Sequence, residues 1–133
     1  MDNDLLARAR TYYRAYVDKD RAAIEALLAP DFRFTSPLDN RLDRATYFDR
    51  CWPNSNVISE FKLENLVAEG DRVFVTYDGQ GEGSKGFRNT EILSFRDGQL
   101  VEVQCYFGWP VPHPAAVGGF IDPADMSATT SRE

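Results

Sequence analysis

The chain has 133 residues, which suffices for one domain built around one hydrophobic core. Its 43% apolar and 13% aromatic residues exclude a disordered chain, and no apolar run approaches the ~20 residues that a membrane-spanning helix needs. The formal net charge of −6 argues against binding to nucleic acid or to an anionic membrane, because an acidic surface repels phosphate groups.

Amphipathic periodicity predicts three helices in the first half of the chain. Apolar residues recur every three or four positions over 4–17, and Asp4 is the candidate N-cap. Asp20 is the candidate N-cap of a second helix, RAAIEALLA, which Pro30 ends. Asp43 precedes a third predicted helix, RATYFDRCW, which Pro53 stops.

Strands are predicted once between the second and third helices and four times after the third. Residues 32–36 alternate apolar and polar and form a short strand closed by Pro37. The breaks Gly70-Asp71, GQGEGSKG and Asp97-Gly98 then separate strands at 59–69, 72–79, 86–95 and 100–109. Helices followed by a meander of strands indicate an α+β fold, with an antiparallel sheet curling over helices on one face.

The last part of the chain differs in composition from this domain. We assign residues 1–110 to the domain and residues 111–133, rich in Pro, Ala and Gly, to a C-terminal extension. We expect the extension to pack on the body or on a partner subunit through Val117, Phe120 and Ile121. Its final residues, SATTSRE, are typical of a flexible terminus.

Several familiar kinds of site are excluded by motif spacing. The run GQGEGSKG lacks the spacing of a phosphate-binding loop and joins two strands instead of opening a helix, so we interpret it as a hairpin connection. His113 is the single histidine of the sequence and lies between two prolines. The presence of only one histidine excludes paired-histidine metal motifs, and its position between prolines argues against a Ser-His-Asp triad. We therefore expect no metal and no cofactor.

The cysteines and the N-terminus favour a cytoplasmic protein. Cys51 and Cys105 are too few for a disulfide framework and are interpreted as reduced, small apolar side chains. The first residues, MDNDLLARAR, carry acids where a signal peptide has positive charge.

Glu91 is the one carboxylate that turns and caps do not explain. Period-two counting places it on the same strand face as Phe87, Asn89, Leu93 and Phe95. If that face is buried, either the pKa of Glu91 rises or hydrogen-bond donors stabilise its charge. If the face belongs to an edge strand or to a dimer surface, it contacts water, and the Glu91 carboxylate needs no special stabilisation.

The last predicted strand has two distinct faces. One face is apolar and carries Val101, Val103, Cys105, Phe107 and Trp109. The other face is mixed, suits either solvent or a homodimer surface, and carries Glu102, Gln104 and Tyr106.

The order of these elements resembles the nuclear transport factor 2-like superfamily, in its SnoaL-like and ketosteroid-isomerase-like branch. The resemblance runs from Leu5 to Trp109 and rests on YYRAYVDKDRAAIEALLAPDFRFTSP, on the helix ending in CW, and on the paired strands RNTEILSFRDGQLVEVQCYFGW. It implies a cone-shaped, curved antiparallel sheet wrapped around three N-terminal helices, with an internal pocket. It also implies a homodimer that pairs through the outer face of the sheet.

The resemblance to ketosteroid isomerases implies roles for individual residues. Their oxyanion-binding Tyr on the first helix falls on Tyr12, and their second oxyanion donor, a carboxylic acid kept protonated by apolar surroundings, falls on Glu91. Their general-base Asp precedes a Pro after the first strand, and that position is Ser36. Because a serine hydroxyl does not abstract a proton without a base behind it, this departure argues against ketosteroid isomerisation itself unless Asp39 serves as the base.

Other activities of the family also lack their residues in this chain. We find no match to the Asp-Arg-Asp arrangement of limonene-epoxide-hydrolase-like members, nor to the histidines of polyketide cyclases and scytalone-dehydratase-like members.

Two functions are therefore compatible with the sequence. The first is an acid/base isomerase, cyclase or dehydratase acting on a small hydrophobic carbonyl compound in an apolar pocket. The second is a non-catalytic module that binds a small ligand in the same pocket. The candidate catalytic residues are Tyr12, Glu91 and Asp39, and the candidate ligand-binding residues are Ser36, Phe34, Trp52, Phe48, Asn89 and Phe107.

Overall fold

The chain forms its helices first and its main strands afterwards. The structure, a computed structural model, describes residues 2–81 and 86–126. The helices are α1 (Asp2–Asp18), α2 (Arg21–Leu27), α3 (Arg44–Arg50), a 3-10 helix (Trp52–Asn56) and α4 (Pro123–Met126). The strands are β1 (Leu28–Ser36), β2 (Asp39–Leu42), β3 (Ile58–Glu69), β4 (Arg72–Gly81), β5 (Gly86–Arg96) and β6 (Gln99–Val111).

Two of the three predicted helix caps are confirmed. The carboxylates of Asp20 and Asp43 accept hydrogen bonds from backbone N–H groups in the first turns of α2 and α3. The prediction for Asp4 is wrong, because α1 already begins at Asp2 and Asp4 pairs with Arg8 one turn later at 3.0 Å. Helix α2 ends before Pro30, because the chain turns to extended geometry at Leu28 and Pro30 lies inside β1.

The strands form one six-stranded sheet in the order β2-β1-β6-β5-β4-β3. Its pairs are antiparallel except β1 with β6, which run parallel, so the predicted α+β fold is confirmed with a mixed sheet. The short strand β2 was not predicted, because its sequence DNRL lacks apolar alternation. It forms by folding back on β1 after the turn at Pro37.

A bulge changes the predicted face of the last strand. Phe95 pairs with Leu100 while Ser94 pairs with Glu102, so Val101 is an extra residue opposite the β5 ladder. Leu100 is fully buried in consequence and Val101 is only half-buried, which corrects the placement of Val101 on the inner face. Beyond the bulge, Val103 and Cys105 of the predicted apolar face are buried, whereas Phe107 and Trp109 of the same predicted face are exposed.

The core lies between the helices and one face of the sheet. Helix α1 contacts β3 and β4, while α2 and α3 contact β1. The buried cluster draws on α1, α2, α3 and the strands β1, β4, β5 and β6, and its largest fully buried side chains are Tyr47, Phe32, Ile24, Leu28, Leu93 and Leu100. Glu91 faces this core from β5 and is buried, so its strand face is not that of a solvent-exposed edge strand.

The C-terminal extension leaves most of its apolar side chains in solvent. Val117 and Phe120 are exposed in the single chain, and Ile121 is half-buried. Neither Val117 nor Phe120 docks on the body, and docking on a partner subunit stays a prediction. The final run SATTSRE and the centre of GQGEGSKG, residues 82–85, lie outside the described residues, although β4 and β5 on either side of the latter pair antiparallel.

Candidate active site

A cavity of about 260 Å³ opens between the helices and the inner face of the sheet. Its exposed or half-exposed members, such as Arg50, Asn54 and Phe107, mark its mouth, whereas Glu91 and the tyrosines are buried at its floor. The lining consists of Tyr12, Tyr13, Tyr16, Phe34, Ser36, Asp39, Tyr47, Arg50, Cys51, Asn54, Ile58, Phe61, Tyr77, Phe87, Asn89, Glu91, Cys105 and Phe107.

Glu91 is held at the floor of this cavity by two tyrosine hydroxyls. The alternation of β5 turns Glu91 inward, where Val75 and Cys105 flank it on the neighbouring strands and only 6% of the residue is exposed. The hydroxyl of Tyr13 donates to Oε1 at 2.7 Å, and that of Tyr77 donates to Oε2 at 3.0 Å. Both carboxyl oxygens therefore have partners inside the protein.

Burial dominates the ionisation of Glu91. Removal from water raises the pKa of this carboxyl, whereas hydrogen bonds from Tyr13, Cys105 and Tyr77 oppose part of that rise by stabilising the charged form. No ion pair of the described residues includes Glu91, so no cation offsets the desolvation of a carboxylate here. Glu91 consequently keeps its proton to a higher pH than an exposed glutamate does.

Asn89 links the Glu91 site to the sheet. Its amide nitrogen donates to the Tyr77 hydroxyl at 3.3 Å and lies 3.7 Å from the Cys105 sulfur. Its amide oxygen accepts from the backbone N–H of Gly108 at 3.2 Å, where β6 bulges against β5. This fixes the orientation of the amide and, through it, the hydroxyl that faces Glu91.

A second hydroxyl cluster joins α1 to α3. Tyr47 is fully buried, and its hydroxyl lies 2.7 Å from that of Tyr12 and 2.5 Å from that of Tyr16. Burial is the main cause that raises the pKa of all three hydroxyls above the ordinary tyrosine value, so the cluster stays protonated at neutral pH. Tyr12 therefore bonds within this cluster, while its neighbour Tyr13 is the first-helix residue that bonds Glu91.

Ser36 and Asp39 form a polar group at the mouth of the cavity. The turn between β1 and β2 brings them opposite each other, and the Ser36 hydroxyl donates to Asp39 Oδ2 at 2.8 Å while accepting from the backbone N–H of Leu38. Arg50, the last residue of α3, donates from Nε to Asp39 Oδ1 at 2.6 Å. The Asp39 side chain is only 8% exposed and is thereby fixed in position.

The structure brings most of the sequence-predicted site residues together. Those that line the cavity are Tyr12, Phe34, Ser36, Asp39, Asn89, Glu91 and Phe107. Trp52 and Phe48 lie behind the lining, because the Trp52 ring packs on Tyr16 at 4.9 Å and the Phe48 ring on Tyr47 at 5.7 Å. Arg21 and Arg44 cover the Phe48 ring from outside.

Several lining residues were not identified from the sequence. Tyr77 lies directly opposite Asn89 in the β4–β5 ladder, so a predicted register for that hairpin would have found it. Tyr13 belongs to the same apolar stripe of α1 as Tyr12, and the sequence offers no signal that prefers one hydroxyl over the other. Arg50 and Asn54 reach the mouth only because α3 passes directly into the 3-10 helix.

The described residues supply no cluster suited to a metal ion. Within residues 2–81 and 86–126, no three His, Cys, Asp or Glu side chains come together with metal-binding geometry. Among the same residues, no helix combines the length and the apolar character needed to cross a bilayer.

Comparisons with known proteins place this architecture in a family. The chain is similar in structure to an LEH-like epoxide hydrolase from M. tuberculosis (TM-score 0.69, 15% identity, 80% of this chain and 84% of that chain covered). It is similar to a protein from Kribbella flavida whose name calls it a candidate ketosteroid isomerase (TM-score 0.69, 20% identity, 99% of this chain and 91% of that chain covered). It is also similar to an NTF-2 like protein of unknown function from Burkholderia xenovorans (TM-score 0.66, 16% identity, 98% of this chain and 96% of that chain covered).

Because these three proteins share only 15–20% sequence identity with the chain, the likenesses establish the cone-shaped α+β fold and nothing beyond it. No match was found among curated protein sequences. The model of the SnoaL-like domain family matches residues 9–103, a segment that reaches from α1 into β6. The chain therefore belongs to the SnoaL-like domain family.

Proposed function

We propose that this protein binds a small, largely apolar carbonyl compound in the cavity and catalyses a proton transfer on it, as in an isomerisation, cyclisation or dehydration. The observation that carries the proposal is the Glu91 carboxyl, which is 6% exposed, holds two tyrosine hydroxyls and lies at the floor of the cavity. A buried carboxyl with a raised pKa is a proton donor for an oxygen that gains charge during a reaction.

In the proposed reaction, Glu91 acts on the substrate oxygen. Its protonated carboxyl donates a hydrogen bond to the carbonyl, and this bond strengthens as the oxygen becomes an enolate. Tyr13 and Tyr77 position the carboxyl through their hydroxyls. Tyr12, whose hydroxyl belongs to the Tyr47 cluster and which lines the same cavity, is the second candidate donor to the oxygen.

Asp39 is the proposed base. Its carboxylate takes a proton from the carbon next to the carbonyl, and the electrons of the broken C–H bond form the enolate; the protonated Asp39 then delivers a proton to carbon in the product, or a deuteron where its acidic hydrogen has exchanged with D2O. Ser36 and Arg50 hold the carboxylate in the cavity lining through one hydrogen bond to each oxygen. Two carboxyl groups in unlike surroundings, one buried without a cation and one paired with arginine, suit the roles of acid and base.

One observation favours a non-catalytic binding module instead. Both oxygens of Asp39 already accept hydrogen bonds, and the position that resembles the family's base carries Ser36. In this alternative, the bonds from Ser36 and Arg50 make Asp39 a residue that shapes the mouth and does not remove a proton. The cavity and Glu91 then recognise a ligand oxygen without reacting.

Deuterium exchange at carbon tests the proposal without knowledge of the natural substrate. Cyclohexanone, cyclohexenone and indanone are incubated with the protein in D2O, and the loss of α-proton signals is followed by NMR. We expect exchange above the buffer rate for at least one ketone, and we expect Glu91→Gln and Asp39→Asn each to lower it by about 100-fold or more. Glu69→Gln, which neutralises an exposed carboxylate at the end of β3, is the matched control.

The outcomes separate the two functions. Exchange that Glu91→Gln leaves unchanged would contradict the assignment of the acid. Calorimetric binding of a ketone without exchange would favour the binding module. The absence of both binding and exchange would contradict both functions.

We also propose that the protein is a cytoplasmic homodimer that pairs through the outer face of the sheet. Tyr106 is 53% exposed there, beside the half-buried Glu102 and Gln104 on the same strand. Tyrosine flanked by polar groups is typical of protein interfaces. Cys51 and Cys105, both in the described part of the chain, form no disulfide, which is consistent with a reducing compartment.

A further inference from the structure

The mouth of the cavity is rich in hydrogen-bond donors on its α3 side. Arg50 and Asn54 both line the cavity and both are exposed, at the end of α3 and in the 3-10 helix that follows it. The floor, in contrast, offers hydroxyl and carboxyl groups that are already bonded to one another. A ligand that spans the cavity therefore meets unlike chemistry at its two ends.

Arg50 retains unused binding capacity. A guanidinium has five N–H donors in a planar fork, and Arg50 uses Nε for the carboxylate of Asp39. Among the described residues, the Nη1 and Nη2 groups of Arg50 make no hydrogen bond. This end of the fork has the geometry that binds a second carboxylate through two parallel hydrogen bonds.

The charge at the mouth permits an anion to bind there. Asp39 carries the only carboxylate among the mouth residues that line the cavity in the described structure, and each of its oxygens is already stabilised, by Arg50 and by Ser36. Asn54, which lines the cavity on the same side, carries a neutral side chain and brings no opposing charge. Because the Arg50 side chain is 58% exposed, the attraction is partly screened and gives selectivity more than high affinity.

We infer that the ligand of this cavity is a carboxylate: its acidic group binds the Nη groups of Arg50 and the amide of Asn54 at the mouth, its apolar body fills the cavity, and its carbonyl oxygen faces Glu91 at the floor. The inference rests on the proposed function for the cavity itself and adds the chemical class of the compound, an oxo acid. It also makes Arg50 a specificity-determining residue in addition to its bond to Asp39.

Calorimetric titration with a matched probe pair tests the inference. Naphthoate and naphthamide share one apolar body and differ in charge. We expect the wild-type protein to bind naphthoate about fivefold more tightly than naphthamide, and we expect Arg50→Gln to bring the two dissociation constants within about twofold of each other. Arg50→Lys keeps the charge but loses the fork, so it should keep only part of the preference.

Two further variants separate the local role of Arg50 from general effects. Asn54→Asp adds a negative charge at the mouth without removing a partner of Asp39, and it should weaken naphthoate binding while sparing naphthamide. Arg21→Gln removes the same charge from an exposed residue that pairs with Glu25 and does not line the cavity, so it should leave the preference intact. The wild-type preference should also shrink in about 1 M salt.

The results that overturn the inference differ from those that overturn the proposed function. Equal binding of both probes to the wild type, or a preference that survives Arg50→Gln and Asn54→Asp, overturns the carboxylate site alone. Failure of the wild type to bind either probe overturns ligand binding in the cavity, and the inference with it.

Discussion

Replacement of Tyr13 by phenylalanine should raise the pKa of Glu91, and the same replacement at Tyr12 should not. The Tyr13 hydroxyl donates to Glu91 Oε1 at 2.7 Å, whereas the Tyr12 hydroxyl lies 2.7 Å from that of Tyr47. Both residues are 3% exposed and stand next to each other on α1, so the two variants remove the same atom from comparable surroundings. The pair is therefore a matched test of which first-helix tyrosine contacts the acid.

The magnitude follows from the kind of hydrogen bond that is lost. A hydrogen bond to a charged group contributes about 1.5–3 kcal/mol, and each 1.4 kcal/mol that distinguishes the two protonation states corresponds to roughly one pKa unit. Since the Tyr13 hydroxyl donates to the carboxyl, its removal destabilises the charged form more than the neutral form. The pKa of Glu91, which burial already raises, therefore rises further in Tyr13→Phe.

The same change alters how stability depends on pH. Below the ordinary glutamate value of 4.5, Glu91 is protonated in the folded and unfolded states and contributes no slope. Above it the unfolded state ionises first, so the folded state binds more protons and its free energy of unfolding falls with pH until the folded pKa is passed. In Tyr13→Phe this fall continues to higher pH than in the wild type, whatever constant offset the lost hydroxyl causes.

Carbon-13 NMR titration of the Glu91 side-chain carboxyl measures the pKa directly, and urea unfolding at a series of pH values measures the slope. Tyr77→Phe should act in the same direction as Tyr13→Phe, because its hydroxyl donates to the other oxygen at 3.0 Å. An unshifted titration in Tyr13→Phe together with a shifted one in Tyr12→Phe would refute the geometry on which the reasoning depends.

Three further outcomes are expected. Asp43→Ala removes the capping side chain of α3 and should lower the free energy of unfolding, measured in urea, by about 1 kcal/mol. Asp43→Asn keeps a side-chain acceptor and should lose much less of that free energy. Tyr47→Phe leaves the buried hydroxyls of Tyr12 and Tyr16 without their shared partner and should cost about 1–3 kcal/mol by thermal unfolding; an unchanged midpoint would show that these hydroxyls find other partners. Tyr106→Arg on the outer face should convert the proposed dimer to a monomer in light scattering, and an unchanged mass would move the interface elsewhere.

The parts of the fold that depend on local sequence were predictable. Asp20 and Asp43 cap helices because an aspartate side chain bonds N–H groups only three residues away. The inward face of β5 follows from strict alternation, which places Glu91 on the same face as Leu93 and Phe95. Val101 was misplaced because a bulge arises from the fit between two strands, and the parallel pairing of β1 with β6 joins segments that are distant along the chain.

The candidate site was predictable as a set of faces and not as a set of bonds. Periodicity places both Tyr12 and Tyr13 on the inner stripe of α1, but the choice of partner depends on how α1 sits over β4 and β5. Arg50 gave no signal, because an arginine at the end of a helix usually lies in solvent. Its contact with Asp39 exists only once β2 has folded back on β1, and β2 itself lacks a sequence pattern.

The parallel pairing of β1 with β6 has a consequence for synthesis on the ribosome. Leu28 lies opposite Leu100, and Arg33, Phe34 and Thr35 lie opposite residues 102–104. In a nascent chain, β1 and the helices therefore emerge long before β6, and β1 cannot form its parallel pairing until β6 has been synthesised. Because closing so long a loop is slow compared with forming hairpins, the β3–β4–β5 meander can assemble first, and a chain that stops before Gln99 leaves Phe32 and Phe34 on an uncovered strand edge.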